Sequence, residues 1–124
     1  MKGKVTVIDD DNDLRSLLQI ALRIDGYEVT GYANGAEFMD AVATTEPSAL
    51  YIIDINLGGI SGFELCDFLK SRKETSRSFV ILISANPEVQ QLARQAKADD
   101  HLLKPFSQKE LLERIDKLFQ SSQS

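Results

Sequence analysis

Three carboxylates, one hydroxyl and one ammonium hold most of the chemical promise of this chain: Asp9 and Asp10 in VIDDD, Asp54 in YIIDINLGG, Ser84 in ISA and Lys104 in LLKPF. Taken one at a time they are ordinary. An acid after an apolar run commonly caps a helix or forms a turn, and Asp11 and Asn12 are read that way. A lone serine is commonly a loop hydroxyl, and a lysine before proline is commonly solvated. Brought together they would mean more, because two like charges at about 4 Å repel by about 4 kcal/mol at an effective dielectric of about 20. Such a cluster calls for a cation. Carboxylates with a free backbone carbonyl suit Mg²⁺, a hard ion that takes oxygen ligands, whereas zinc is disfavoured without Cys and His clusters. A carboxylate beside such an ion, with a lysine and a hydroxyl to receive spreading negative charge, is equipped to accept a phosphoryl group.

The elements that must position these residues can be read from apolar periodicity. Short continuous apolar runs alternate with helically spaced ones, the pattern of strands and helices around a parallel sheet. The strands are VTVI (5–8), the weaker YEVTGYA (27–33), ALYIID (49–54), FVILISA (79–85) and HLL (101–103). Leu14, Leu17, Leu18, Ala21 and Leu22 mark a first helix from about Asn12, closed by Gly26. Phe38, Ala41 and Val42 mark a second. Ser61 with Glu64 and Ser107 with Glu110 each read as a capping box opening helices three and five. A fourth helix starts from about Pro87 and carries Val89, Leu92, Ala93 and Ala96. Strands apolar throughout need both sheet faces covered, so the fold class is α/β: a three-layer α/β/α sandwich with right-handed crossovers. The expected order is the flavodoxin-like 2-1-3-4-5, which puts a binding crevice at the carboxyl ends of strands one and three. Asp54 then stands at a strand tip as a nucleophile, on a strand whose buried body fixes its aim.

At 124 residues, 43% hydrophobic and 27% charged, the chain fits one globular domain, here 1–120, followed by a polar tail or start of a linker, 121–124. No apolar run approaches a membrane span, and the start is too short and too soon acidic for a secretory signal, so the expected location is cytoplasmic. The net charge of −5 with scattered basic residues argues against direct nucleic-acid contact by this domain. Cys66 has no cysteine partner and is assigned to the core.

The motifs VIDDD, YIIDINLGGISG, ISA and LLKPF, in this order, resemble the receiver domain of two-component response regulators (CheY-like), and the resemblance covers essentially the whole chain. It implies that Asp54 is the phosphoacceptor, and that Asp9, Asp10, Asp54 and the backbone carbonyl of Asn56 hold Mg²⁺. Ser84 would hydrogen-bond the phosphoryl group, Lys104 would ion-pair with it, and Ser84 with His101 would form a switch. It further implies a cis Lys104–Pro105 bond and a histidine kinase or histidine phosphotransfer protein as donor. The message would leave through the face of helix four, strand five and helix five. Its recipient would be a downstream protein, an output domain or, as a phosphorylation-dependent homodimer, a second copy. Such a chain is a signalling phosphoacceptor that assists its own phosphotransfer and dephosphorylation rather than an enzyme. Gly58, Ser61, Lys97 and His101 depart from the residues the family commonly has there.

The alternative is a haloacid-dehalogenase-like Mg²⁺-dependent phosphatase, which combines similar groups. Those enzymes carry the nucleophile on the first strand and an acid two residues beyond it. Here the acidic pair comes first and that position is Asn56, whose amide cannot shuttle a proton. A dinucleotide-binding module lacks its G-x-G-x-x-G after the first strand. An adaptor that is never phosphorylated would fail to react with a small-molecule phosphodonor.

Overall fold

The computed structural model describes residues 2–121. Five strands and five helices alternate: β1 Lys4–Ile8, α1 Asn12–Ile24, β2 Glu28–Tyr32, α2 Gly35–Val42, β3 Leu50–Asp54, α3 Gly62–Ser71, β4 Phe79–Ser84, α4 Val89–Gln95, β5 Asp100–Leu103 and α5 Gln108–Ser121. All neighbouring strands pair in parallel, in the order β2-β1-β3-β4-β5, as the alternation predicts. The last helix runs through Ser121, and the rest of the expected tail lies outside the described residues.

Alternation along the central strands feeds two cores. On one face Ile8, Tyr51, Ile53, Val80 and Leu82 pack against α2, α3 and α4. On the other, Val5, Val7, Leu50, Ile52, Ile81 and Ile83 meet Leu18 and Leu22 of α1 and Leu111 and Ile115 of α5. Each fully buried Leu or Ile contributes about 1.5–3 kcal/mol relative to an exposed one. That makes the middle of the sheet the rigid part of the molecule. Every residue of β3 is buried, including Asp54 at its tip.

Helix ends follow their local chemistry. Asp11 caps α1 by accepting the N–H groups of Asp13 (3.0 Å) and Leu14 (3.1 Å). Ser61 and Glu64 form the capping box of α3, and Ser107 Oγ accepts the Glu110 N–H at 3.0 Å at the start of α5. Beyond α1, Gly26 takes a φ of 103° while its N–H bonds Arg23 O and that of Tyr27 bonds Leu22 O, a Schellman closure. After α4 the same closure is made by Lys97 at a φ of 62°, with the Ala98 N–H on Ala93 O, so a lysine holds a backbone conformation that favours glycine.

Two local expectations shift. α4 starts at Val89 rather than near Pro87, because Asn86 Oδ1 accepts the Glu88 N–H at 2.9 Å and holds Pro87 and Glu88 in a turn. Leu17, read with the apolar stripe of α1, is 57% exposed: the buried stripe runs through Leu18, Ala21 and Leu22, and Leu17 lies a third of a turn away. Cys66 is fully buried as expected, its thiol donating to Ala96 O at 3.5 Å.

Candidate functional site

Parallel strands deliver their carboxyl ends to one edge, and the ladder continues just past them. The Asp9 N–H donates to Tyr32 O (3.2 Å), Ile55 N–H to Ile83 O (2.9 Å) and Lys104 N–H to Ser84 O (2.8 Å). The residues at and beyond the ends of β1, β3, β4 and β5 are thereby held at the backbone, and four of them meet. Asp9, Asp10 and Asp54 present carboxylate oxygens within 4.8 Å of one another. The Lys104 ammonium lies 3.0 Å from Oδ2 of Asp9 and 3.0 Å from Oδ2 of Asp54.

The electrostatics follow from burial. Asp9 is wholly buried, and burial pushes its pKa up; the Asp11 N–H on its Oδ1 (2.9 Å) and the Lys104 charge pull the other way, and the Asp54 charge adds to the rise. For Lys104, burial alone would lower the pKa, but hydrogen bonding and attraction to Asp9 and Asp54 outweigh it and raise it. Asp54 Oδ1 accepts the Asn56 N–H at 3.0 Å. Asp9 Oδ2 is the one buried side-chain oxygen or nitrogen among the described residues that makes no hydrogen bond of good geometry, although the Lys104 ammonium stands 3.0 Å from it. A buried carboxylate oxygen with open lone pairs, among oxygen donors alone, fits a hard divalent cation such as Mg²⁺.

Ser84, also fully buried, sits at the end of β4, where its Oγ accepts the Asn86 N–H (3.0 Å) and the Asn56 Nδ2–H (3.1 Å). His101 is not drawn into this cluster. It is half-buried on β5, opposite Leu82 in register, and its imidazole stands 4.0 Å from Asp100, whose carboxylate also takes Arg114 of α5 at 2.6 Å. The Lys104–Pro105 bond is cis. A cleft lined by Asp11, Leu14, Ala85, Lys104, Pro105 and Phe106 opens beside the ammonium.

Two supporting groups, Arg15 and Gly62, and one contact of Asn56 are not evident from the sequence. Arg15 donates to Asp9 O at 2.7 Å and to Asn12 Oδ1 at 2.6 Å, clamping the chain where β1 turns into α1. Its position one turn into a helix behind an acidic run is the only local hint. Gly62 opens α3 against β3: a Cβ there would collide with the carbonyl of Asp54. A glycine directly after the Ser61 cap could have signalled that close approach. The Asn56 amide is noted in the sequence, but its reach to Ser84 Oγ at 3.1 Å is not.

The family model of the response regulator receiver domain matches residues 5–116. This chain belongs to that family. As a receiver domain it serves two-component signalling as a phosphoacceptor, and the phosphatase alternative falls away. Over 121 residues it is 34% identical to the transcriptional regulatory protein GltR of Pseudomonas aeruginosa, covering 96% of this chain and 50% of GltR. It is 37% identical over 117 residues to the phosphate regulon transcriptional regulatory protein PhoB of Rhizobium meliloti, covering 93% of this chain and 51% of PhoB. The chain thus spans about half the length of these curated relatives. Among solved structures, the chemotaxis protein CheY4 of Vibrio cholerae superposes with a TM-score of 0.83 at 25% identity, covering 92% of this receiver domain and 96% of CheY4. No described helix of the receiver domain is long and apolar enough to cross a membrane.

Proposed function

We propose that this receiver domain takes up its phosphoryl group on Asp54 from a histidine kinase or histidine phosphotransfer protein. The observation that carries this reading is the Lys104 ammonium, 3.0 Å from both Asp54 and Asp9 at the strand tips. A cation already paired with the acceptor can follow the negative charge onto the product.

Asp9, Asp10, Asp54 and the backbone carbonyl of Asn56 would hold Mg²⁺, which when bound supplies positive charge against the carboxylates and the incoming phosphoryl oxygens. An Asp54 oxygen attacks the phosphorus, the O–P bond forming as the P–N bond to the donor imidazole breaks and its electron pair leaves on nitrogen. Lys104 pairs with the product and the Ser84 hydroxyl donates to it. The response passes by Ser84 and His101 to the face of α4, β5 and α5, and from there to a downstream protein, an output domain or a second copy. Asn56 offers no base to an attacking water. Loss of the phosphoryl group therefore proceeds without side-chain catalysis from that position.

Intact mass after incubation with acetyl phosphate or phosphoramidate tests this. One phosphoryl group should be gained with Mg²⁺ and none with chelator, and Asp10→Ala should abolish uptake. The same gain on Asp54→Asn would refute the assignment.

A further inference from the structure

Asn56 spans the gap between two strand tips. Its backbone N–H holds Asp54 Oδ1 at 3.0 Å, and its side-chain Nδ2 donates to Ser84 Oγ at 3.1 Å across 28 residues of sequence. The Asn86 N–H donates to the same hydroxyl at 3.0 Å. A hydroxyl has one proton and two lone pairs. Both neighbours are donors, so both lone pairs of Ser84 Oγ are occupied. What remains is the proton, and among the described residues no acceptor is hydrogen-bonded to it. Ser84 is fully buried, so bulk water does not take it either.

We propose that the Asn56 side-chain amide is a positioning residue for phosphoryl uptake: by filling the second lone pair of Ser84 Oγ it leaves that hydroxyl able only to donate, toward a phosphoryl oxygen on Asp54. The inference rests on the reading of Asp54 as acceptor. The two ends of the amide have opposite consequences. Nδ2 toward Ser84 presets a donor for an anionic oxygen. A carboxylate oxygen in its place, as in Asn56→Asp, takes the Ser84 proton and leaves a lone pair facing the anion. Asn56→Ala leaves the hydroxyl free to rotate. Asn56 is solvent-exposed at the residue level, so its replacement removes no core packing.

Two measurements decide this. In the metal-free protein, the Asn56 side-chain amide protons should exchange slowly and shift on Ser84→Ala; identical amide resonances in wild type and Ser84→Ala would overturn the inference. With Mg²⁺, beryllofluoride serves as the phosphoryl mimic and ¹⁹F NMR titration gives its affinity. Asn56→Ala should weaken binding about fivefold or more when Ser84 is present and less than about twofold in the Ser84→Ala background, because the amide acts through the hydroxyl. Equal losses in both backgrounds would overturn it. Beryllofluoride bound by Asp54→Asn as by wild type would overturn the reading of Asp54 and the inference with it. Additive losses with Asp54→Asn silent would overturn the inference alone.

Discussion

Lys104 Nζ donates to Asp54 Oδ2 at 3.0 Å, joining residues 50 positions apart in the chain. The bond needs no phosphoryl group, so on the proposed reading Lys104 would be oriented in advance by the carboxylate that accepts one. Replacing it with alanine strands Asp9 and Asp54 beside each other with no neutralising charge. Lys104→Ala should lower stability in chelator by about 1.5–3 kcal/mol, the scale of a hydrogen bond to a charged group. Some Mg²⁺-dependent phosphorylation should remain, with little conformational response. Urea unfolding and NMR shifts check both parts, and a full set of shift changes on phosphorylation of the variant would remove Lys104 from the response.

Gly62 and Gly58 make a paired test of how the acceptor is aimed. Both lie in the segment from β3 into α3, yet a Cβ on Gly62 would meet the Asp54 carbonyl whereas one on Gly58 would meet nothing within 4 Å. Gly62→Ala should push α3 off the strand, cost about 1–3 kcal/mol and slow phosphoryl uptake. Gly58→Ala should leave stability within about 1 kcal/mol. Equal urea midpoints for the two variants would show that the close approach does not constrain the site.

This contrast marks where sequence reading stops. VIDDD, YIID and LLKPF carry their placement in local pattern: an apolar run ends, a polar residue follows, and parallel topology brings the ends to one edge. The start of α4 was less legible because Pro87 is compatible with both a first helical turn and the turn that Asn86 enforces. The exposure of Leu17 depends on where the stripe of α1 is centred, which the sheet decides. The bond from Asn56 to Ser84 is tertiary, and nothing in the neighbours of either residue announces it; the bond from Arg15 to the Asp9 carbonyl is hinted at only by the acidic run that precedes the helix.

The core thiol gives a pH dependence with a definite sign. Burial pushes Cys66 up from 9.0 to about 11. Between those values the unfolded chain has lost the thiol proton and the native protein keeps it. The native state binds more protons, so stability falls as pH rises through that window, by up to about 1.4 kcal/mol per pH unit. Tyr27, pushed by burial to about 12, adds a fall of the same sign at higher pH. Comparison with Cys66→Ala isolates the thiol. The stability advantage of wild type over the variant should shrink by about 2 kcal/mol between pH 8 and pH 11. A constant difference in urea midpoints across that range would count against a buried, protonated thiol.

The response should travel from Ser84 to α5 by β5. Lys104 N–H bonds Ser84 O at 2.8 Å, and β4 pairs Leu82 with His101 and Ser84 with Leu103, so a shift of Ser84 toward a phosphoryl oxygen pulls on the end of β5. His101 is the bulky half-buried side chain on that strand, and its neighbour Asp100 is tied to α5 by Arg114 at 2.6 Å. An added dianion at Asp54 would stabilise an arrangement in which Ser84 has moved inward, and only a packing difference between the two arrangements could carry the change outward. His101 entering the space beside β4 would supply that difference, and Gln91, Gln95 and Lys109 on the adjoining helices would present it to a partner. Hydrogen exchange with and without beryllofluoride and Mg²⁺ should therefore show altered protection in α4, β5 and α5 of the wild type. In His101→Ala the change should fall by at least half while the loops around Asp54 still respond. Changes confined to those loops in both proteins, with α4, β5 and α5 unaltered, would sink the switch and leave His101 as a solvated edge residue.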